Sequence, residues 1–202
     1  MSVDYFSFVL FSSVALLGGT VILGWVCDIP VFRHIHPEWV SMKFNTALSF
    51  LFGGLGGMAL GLTRRWPEYD WALEHVRFFL SLSIFGIMSS LLLVSVVGGE
   101  IGITRAFADH ESGVKTIAPG MPSVGTIIAF SLMAISGLIR RGKHLGAIGI
   151  AITWIGILST IGYVASAPIF YYYIPGYSTA MAIHTGIGFS VAGLALTLDA
   201  WQ

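Results

Sequence analysis

Charge-free stretches divide this chain into segments. Asp, Glu, Lys and Arg are absent from residues 6–26, 44–62, 78–97 and 123–139, and again from the whole of 145–198. A helix crossing the hydrocarbon core of a bilayer needs about 20 largely apolar residues. The first four stretches match or approach that length. The fifth is too long for one crossing, and Pro168 with Pro175-Gly176 splits it. Helices are then expected at about 145–165 and 179–198, because proline and glycine punctuate helical segments. The pattern predicts an all-α integral membrane protein of six transmembrane helices in a single domain, residues 1–202.

The same pattern repeats. Gly24-Trp25-Val26-Cys27-Asp28-Ile29-Pro30-Val31-Phe32 matches Gly162-Tyr163-Val164-Ala165-Ser166-Ala167-Pro168-Ile169-Phe170 at glycine, aromatic, valine, proline and phenylalanine. Farther on, Met42-Lys43-Phe44-Asn45-Thr46-Ala47-Leu48-Ser49-Phe50 matches Met181-Ala182-Ile183-His184-Thr185-Gly186-Ile187-Gly188-Phe189. A weaker middle copy places Glu100-Ile101-Gly102 against Asp28-Ile29-Pro30, and Val124-Gly125-Thr126 through Phe130 against Phe44 through Phe50. The expected architecture is three helix-loop-helix hairpins, at about 6–63, 77–140 and 145–198. Each even helix opens with a threonine four residues before a phenylalanine. Gly53, Gly57 and Gly61, and Ala182, Gly186 and Ser190, place small residues every four positions, the spacing of close helix packing in lipid.

Composition agrees with a membrane chain: 55% of residues are hydrophobic and only 10% charged, too few to cover a soluble surface of this size. Basic and acidic residues balance at ten each, so no basic surplus points to nucleic acid. The single cysteine, Cys27, excludes an internal disulfide. The first helix has no Lys or Arg before it and no small-residue cleavage site after it, so it is expected to remain as a span. Arg64, Arg65, Arg77, Arg140, Arg141 and Lys143 outnumber Arg33, Lys43, Arg105 and Lys115 across the expected membrane. The positive-inside rule then puts both termini in the cytoplasm. Trp66, Trp71 and Trp201 fall at the inner interface, and Trp25 and Trp39 at the outer one.

At Gly24-Trp25 with Asp28-Ile29-Pro30, at Met42-Lys43 with Asn45-Thr46-Ala47-Leu48-Ser49-Phe50-Leu51, and at Met181-Ala182-Ile183-His184-Thr185 with Phe189, the chain resembles a known class. These are the six-helix membrane input (sensor) domains that precede PAS, histidine-kinase or diguanylate-cyclase modules in bacteria. The resemblance covers essentially the whole chain. It implies a bacterial inner (cytoplasmic) membrane location and a role in signal transduction. The middle copy departs from the family with Gly125-Thr126 in place of Asn-Thr. No output module follows Trp201-Gln202, so the expectation is either an excised domain or a stand-alone accessory subunit of a membrane complex.

Candidate chemistry gathers at the outer ends. Asp28, Glu100 and Ser166 form one expected layer, and Asn45-Thr46, Gly125-Thr126 and His184-Thr185 a second, about one turn deeper. Intramembrane polar residues cost free energy unless they find partners, which makes them ligand candidates. Three helix N-termini facing one way favour an anion or a carbonyl-bearing ligand. The plainer reading makes Thr46, Thr126 and Thr185 helix caps or interhelical hydrogen bonders, and Asp28 and Glu100 solvated. His184 is the one histidine inside a span. Haem ligation there lacks a partner, since His75 lies across the membrane. Copper would draw on Met42, Met121 and Met181, residues that also serve as packing. The uncharged loop with Phe170, Tyr171, Tyr172, Tyr173 and Tyr177 reads as a headgroup anchor, a lid over the polar layer, or a contact for another membrane subunit or second copy. No Walker A loop, nucleophile elbow, His-Glu-x-x-His or Cys-x-x-Cys occurs, and the expected function is non-catalytic.

Overall fold

A computed structural model of the chain describes residues 3–97, 120–139, 142–173 and 178–201. The described residues form helices and connecting loops, with no strand among them. We number the main helices α1 (Val3–Val26), α2 (Phe44–Arg65), α3 (Asp70–Val97), α4 (Val124–Ser136), α5 (Lys143–Val164) and α6 (Ile183–Ala200). Five of them are long and apolar enough to cross a membrane. That is the character of an integral membrane protein.

The fourth helix is the exception. It has 13 residues, about 20 Å at 1.5 Å per residue, against a hydrocarbon core of about 30 Å. It stops short of the expected 123–139 at Gly137, where the Ser81 side chain of α3 fills the place a Cβ would take. The sixth helix also starts later than expected, at Ile183. The Met181 N–H donates to the Tyr171 carbonyl at 2.8 Å, tying the strand-like lead-in to the preceding turn.

The most extensive packing joins α5 to α6 and α1 to α2. Helix α2 also lies along α3 and α1 along α6, with a lesser contact between α3 and α4. The helices α2, α4 and α6 lie toward the centre. Phe50, Phe130 and Phe189, one from each central helix, meet there with no solvent exposure. Their ring centroids lie 4.7 to 4.9 Å apart, at tilted and edge-to-face angles. Such geometry sets the positive edge of one ring against the negative face of the next.

Backbones approach closely between α5 and α6, and as closely between α1 and α2, where a Cβ on Gly18 would stand 2.5 Å from the Ala47 carbonyl oxygen. A Cβ on Gly193 would stand 2.5 Å from the Gly149 carbonyl oxygen, and one on Gly186 3.1 Å from that of Gly156. The glycines of α2 serve two partners: Gly57 faces the Phe11 ring of α1, and Gly53 the Met133 sulfur of α4. Several hydroxyls along α5 and α6 bond within their own helix, whereas the buried Ser159 hydroxyl of α5 has no hydrogen-bond partner among the described residues. Thr153, Thr160, Ser190 and Thr197 each donate to the carbonyl four residues back.

The ends of α1 and α5 are built alike. Ile29 N–H donates to Gly24 O, and Ala167 N–H to Gly162 O, both at 2.8 Å. Asp28 and Ser166 take the left-handed conformation that closes such an ending, each at φ 52°. Pro30 and Pro168 then open single helical turns, Pro30–Arg33 and Pro168–Phe170. Trp25 Nε1 donates to the Met42 carbonyl at 3.0 Å, and the Tyr163 hydroxyl to the Met181 carbonyl at 2.8 Å. These bonds set where α2 and α6 begin.

Candidate functional site

The three central helices start from the same backbone conformation. Lys43, Ser123 and Ala182, the residues just before them, lie at φ −72°, −67° and −69° with ψ near 150°. Thr46, Thr126 and Thr185 are therefore the third residues of their helices and not the caps. Ser123 is the capping side chain on α4, accepting from the Thr126 N–H at 3.1 Å. Lys43 and Ala182 supply no such bond. All three threonines are 2% exposed. Each lies one turn before a phenylalanine of the central triad, on the same helix face.

Asn45 and His184, at the second position of α2 and α6, are buried with them, and Gly125 holds that place on α4. His184 is 6% exposed, and neither ring nitrogen has a hydrogen-bond partner among the described residues. The Arg33 backbone comes close enough for at most a weak, off-geometry hydrogen bond to the ring, and the His34 imidazole lies nearby. The first long loop therefore covers the start of α6. A buried polar group without a partner costs about 1–3 kcal/mol. His184 is thus a conspicuous unsatisfied donor and acceptor at this end of the bundle.

Above Gly125 sits Tyr173. A Cβ at Gly125 would meet the Tyr173 hydroxyl and ring at 2.8 Å, and the Met181 methyl at 3.0 Å. Only glycine at position 125 leaves room for that ring. Burial raises the Tyr173 phenol above its ordinary pKa. Tyr171 is buried and stacked on Tyr163, with centroids 4.0 Å apart at 19°. Phe170 packs against Gly162 at the end of α5, and Tyr172 joins the core edge. Tyr177 and Glu100 lie outside the described residues.

Asp28 does not join the buried layer. Its side chain is 81% exposed and accepts from Arg33 Nη2 at 2.9 Å. Arg33 in turn lies over the Trp25 ring, 5.0 Å from its centroid. Ser166 is likewise exposed in its turn.

Three buried cations, Arg33, Lys43 and Arg77, were counted in the sequence only as topology determinants. Lys43 is buried beside Asn45, with its ammonium 3.2 Å from Ser41 Oγ. Arg77 is buried at the far end, lining a 20 Å³ cavity with Ser81, Ser136 and the glycines of α2. That space suits one water molecule. A second, larger hollow of 280 Å³ opens between the first long loop and the turn after α5. Neither is lined by Asn45, His184 or the three threonines. His75 is held apart from this region, near the start of α3, with Nδ1 2.7 Å from the Trp71 carbonyl. Among the described residues no three His, Cys, Asp or Glu side chains gather as a metal site.

No protein-family model, curated protein or solved structure matches the chain. Fold and site together define a helical membrane protein with a buried polar layer where its three central helices begin.

Proposed function

We propose that this chain is a non-catalytic sensory input module of six membrane spans, arranged as three repeated hairpins in a bacterial inner membrane with both termini in the cytoplasm. In this reading α4 is a short sixth span. The repeat reading draws support from paired details: the left-handed Asp28 and Ser166, the Trp25–Met42 and Tyr163–Met181 bonds, and the three-phenylalanine centre.

The ligand of such a module is small or lipid-soluble and carries an acceptor oxygen, such as a carbonyl or an anion. The observation that carries this reading is His184, buried with both ring nitrogens unpaired. A ligand reaching it would meet one N–H donor, the positive ends of three helices and the nearby Lys43 ammonium. Binding that favours one placement of α6 over another would shift the helix relative to α2 and α4. The direct test is extraction of the purified protein from native membranes, with mass spectrometry of what it retains. The wild type should release a small molecule in fixed ratio that His184→Leu lacks. Identical extracts would end the proposal.

A second reading, an accessory subunit of a larger membrane complex, rests on α3. Its Phe78, Phe79, Leu82 and Phe85 side chains all face outward. Lipid covers such a ridge equally well. Purification in mild detergent separates the two: a subunit brings other membrane chains in fixed ratio.

A further inference from the structure

We propose that the 280 Å³ hollow beside the polar layer binds an organic ammonium group. It lies between the first long loop and the turn that follows α5, and its walls include Glu38, Trp39, Tyr163, Ser166 and Tyr171. Glu38 is the one charged residue of the lining. It is exposed, and no ion pair engages its carboxylate among the described residues. An anion would meet repulsion there. A purely apolar ligand would have to strip water from the carboxylate without return.

Three aromatic residues share the remaining wall with Val40, Ser166 and Pro168. Trp39 and Tyr163 lie 5.4 Å apart at 54°, and Tyr171 continues the row by stacking on Tyr163. Ring faces carry negative quadrupole density and attract cations, most of all large and weakly hydrated ones such as quaternary ammonium. A small inorganic cation wants several oxygen ligands, and one carboxylate does not supply them. Charge and shape agree on an alkylated ammonium. The volume admits a trimethylammonium head with room for a short chain.

The position of Trp39 at the expected outer interface leaves two sources of this chemistry, a lipid headgroup or a free solute. Occupancy would also reach α6. The Tyr163 hydroxyl holds the Met181 carbonyl, three residues before His184. The proposal stands on the hollow itself and does not require a ligand at His184.

The test uses the full chain in maltoside detergent, which carries no ammonium. Tetramethylammonium chloride is titrated against sodium chloride at constant ionic strength, with binding read by calorimetry. Saturable millimolar binding is expected. Glu38→Gln and Trp39→Leu, both at exposed loop positions, should each weaken it about tenfold. Binding in phosphatidylglycerol nanodiscs that disappears in phosphatidylcholine nanodiscs assigns the hollow to a lipid headgroup. Equal binding in both assigns it to a free solute. Absence of saturable binding by the wild type, or wild-type affinity in Glu38→Gln, overturns the proposal.

Discussion

Arg64 of α2 reaches Asp199 of α6 twice. Its Nη2 donates to the Asp199 carbonyl at 3.1 Å and lies 3.4 Å from the carboxylate. The Asp199 side chain is 1% exposed and that of Arg64 19%. The pair ties two central helices together at the end opposite the polar layer. Removing one partner of a buried pair leaves a stranded charge, at a cost of about 3–5 kcal/mol. Arg64→Ala leaves the buried Asp199 carboxylate without this cation and should lose about that much stability. Asp199→Ala should lose less, because Arg64 is partly exposed. Arg64→Ala/Asp199→Ala should lose less than the sum of the two single variants. Unfolding in a denaturing detergent, followed by tryptophan fluorescence, reads both quantities. Strict additivity would mean the contact contributes nothing.

The glycines make a sharper contrast. Gly156 of α5 lies against the backbone of Gly186 and Ser190, whereas nothing stands within 4 Å of where a Cβ would project at Gly19 or Gly86. Gly156→Leu should therefore separate α5 from α6 and cost more than the 1–3 kcal/mol usual for overpacking. Gly19→Leu and Gly86→Leu should stay within about 1 kcal/mol of wild type, helped by better helix propensity. Thermal scans of the three variants in one detergent decide it. Equal losses would place the close seam elsewhere.

Tyr173 and Gly125 offer a chemical readout. Gly125→Ala puts a methyl where the Tyr173 ring rests, so the ring should be expelled into water. Partial burial holds the wild-type phenol above the ordinary tyrosine value, and expulsion should bring it back toward that value. A folded-state pKa raised in this way contributes stability below pH 10 that is lost as pH climbs through the raised value. Absorbance titration at 295 nm, with Tyr173→Phe as the blank, isolates this phenol. An unchanged curve in Gly125→Ala would show that the ring does not depend on the glycine.

Much of this arrangement was legible in the residue pattern, for reasons that can be named. Phe50, Phe130 and Phe189 each sit four residues after a threonine, and a helix maps that spacing onto one face. The matched Trp25 and Tyr163 pointed to equal roles, although the carbonyls they bond were not foreseeable. Asp199 escaped notice because it stands one residue past a long charge-free run, where it reads as an ordinary helix end. Its burial depends on α2 lying alongside. The seat of Tyr173 over Gly125 depends on how a proline-rich loop folds back across another hairpin, which no periodicity encodes. The contact of Ser81 with Gly137 at the end of α4 joins residues far apart in sequence, which the residue pattern does not encode.

Cys27 gives direct access to orientation. It is the only cysteine of the chain and is exposed just after α1. With both termini in the cytoplasm, this residue faces the outside. A membrane-impermeant maleimide added to intact spheroplasts should label it fully, and Cys27→Ser should abolish the signal. Labelling that appears only after the membrane is opened would invert the orientation and move the polar layer to the cytoplasmic face.

His184 brings stability and ligand binding into opposition. Its two unpaired ring nitrogens cost the empty protein about 1–3 kcal/mol. Leucine has no polar atoms to satisfy and comparable bulk, so His184→Leu should raise the stability of ligand-free protein by up to that amount. A core histidine kept only for packing would show the opposite sign, because a well-fitted ring exchanged for a differently shaped side chain leaves gaps and strain. Residues that cost stability are commonly retained where function needs them. Melting temperatures of wild type and variant, after stripping with detergent and again in native membranes, separate these cases. A variant more stable when stripped, but no longer stabilised by native membranes, is expected of a ligand-binding histidine.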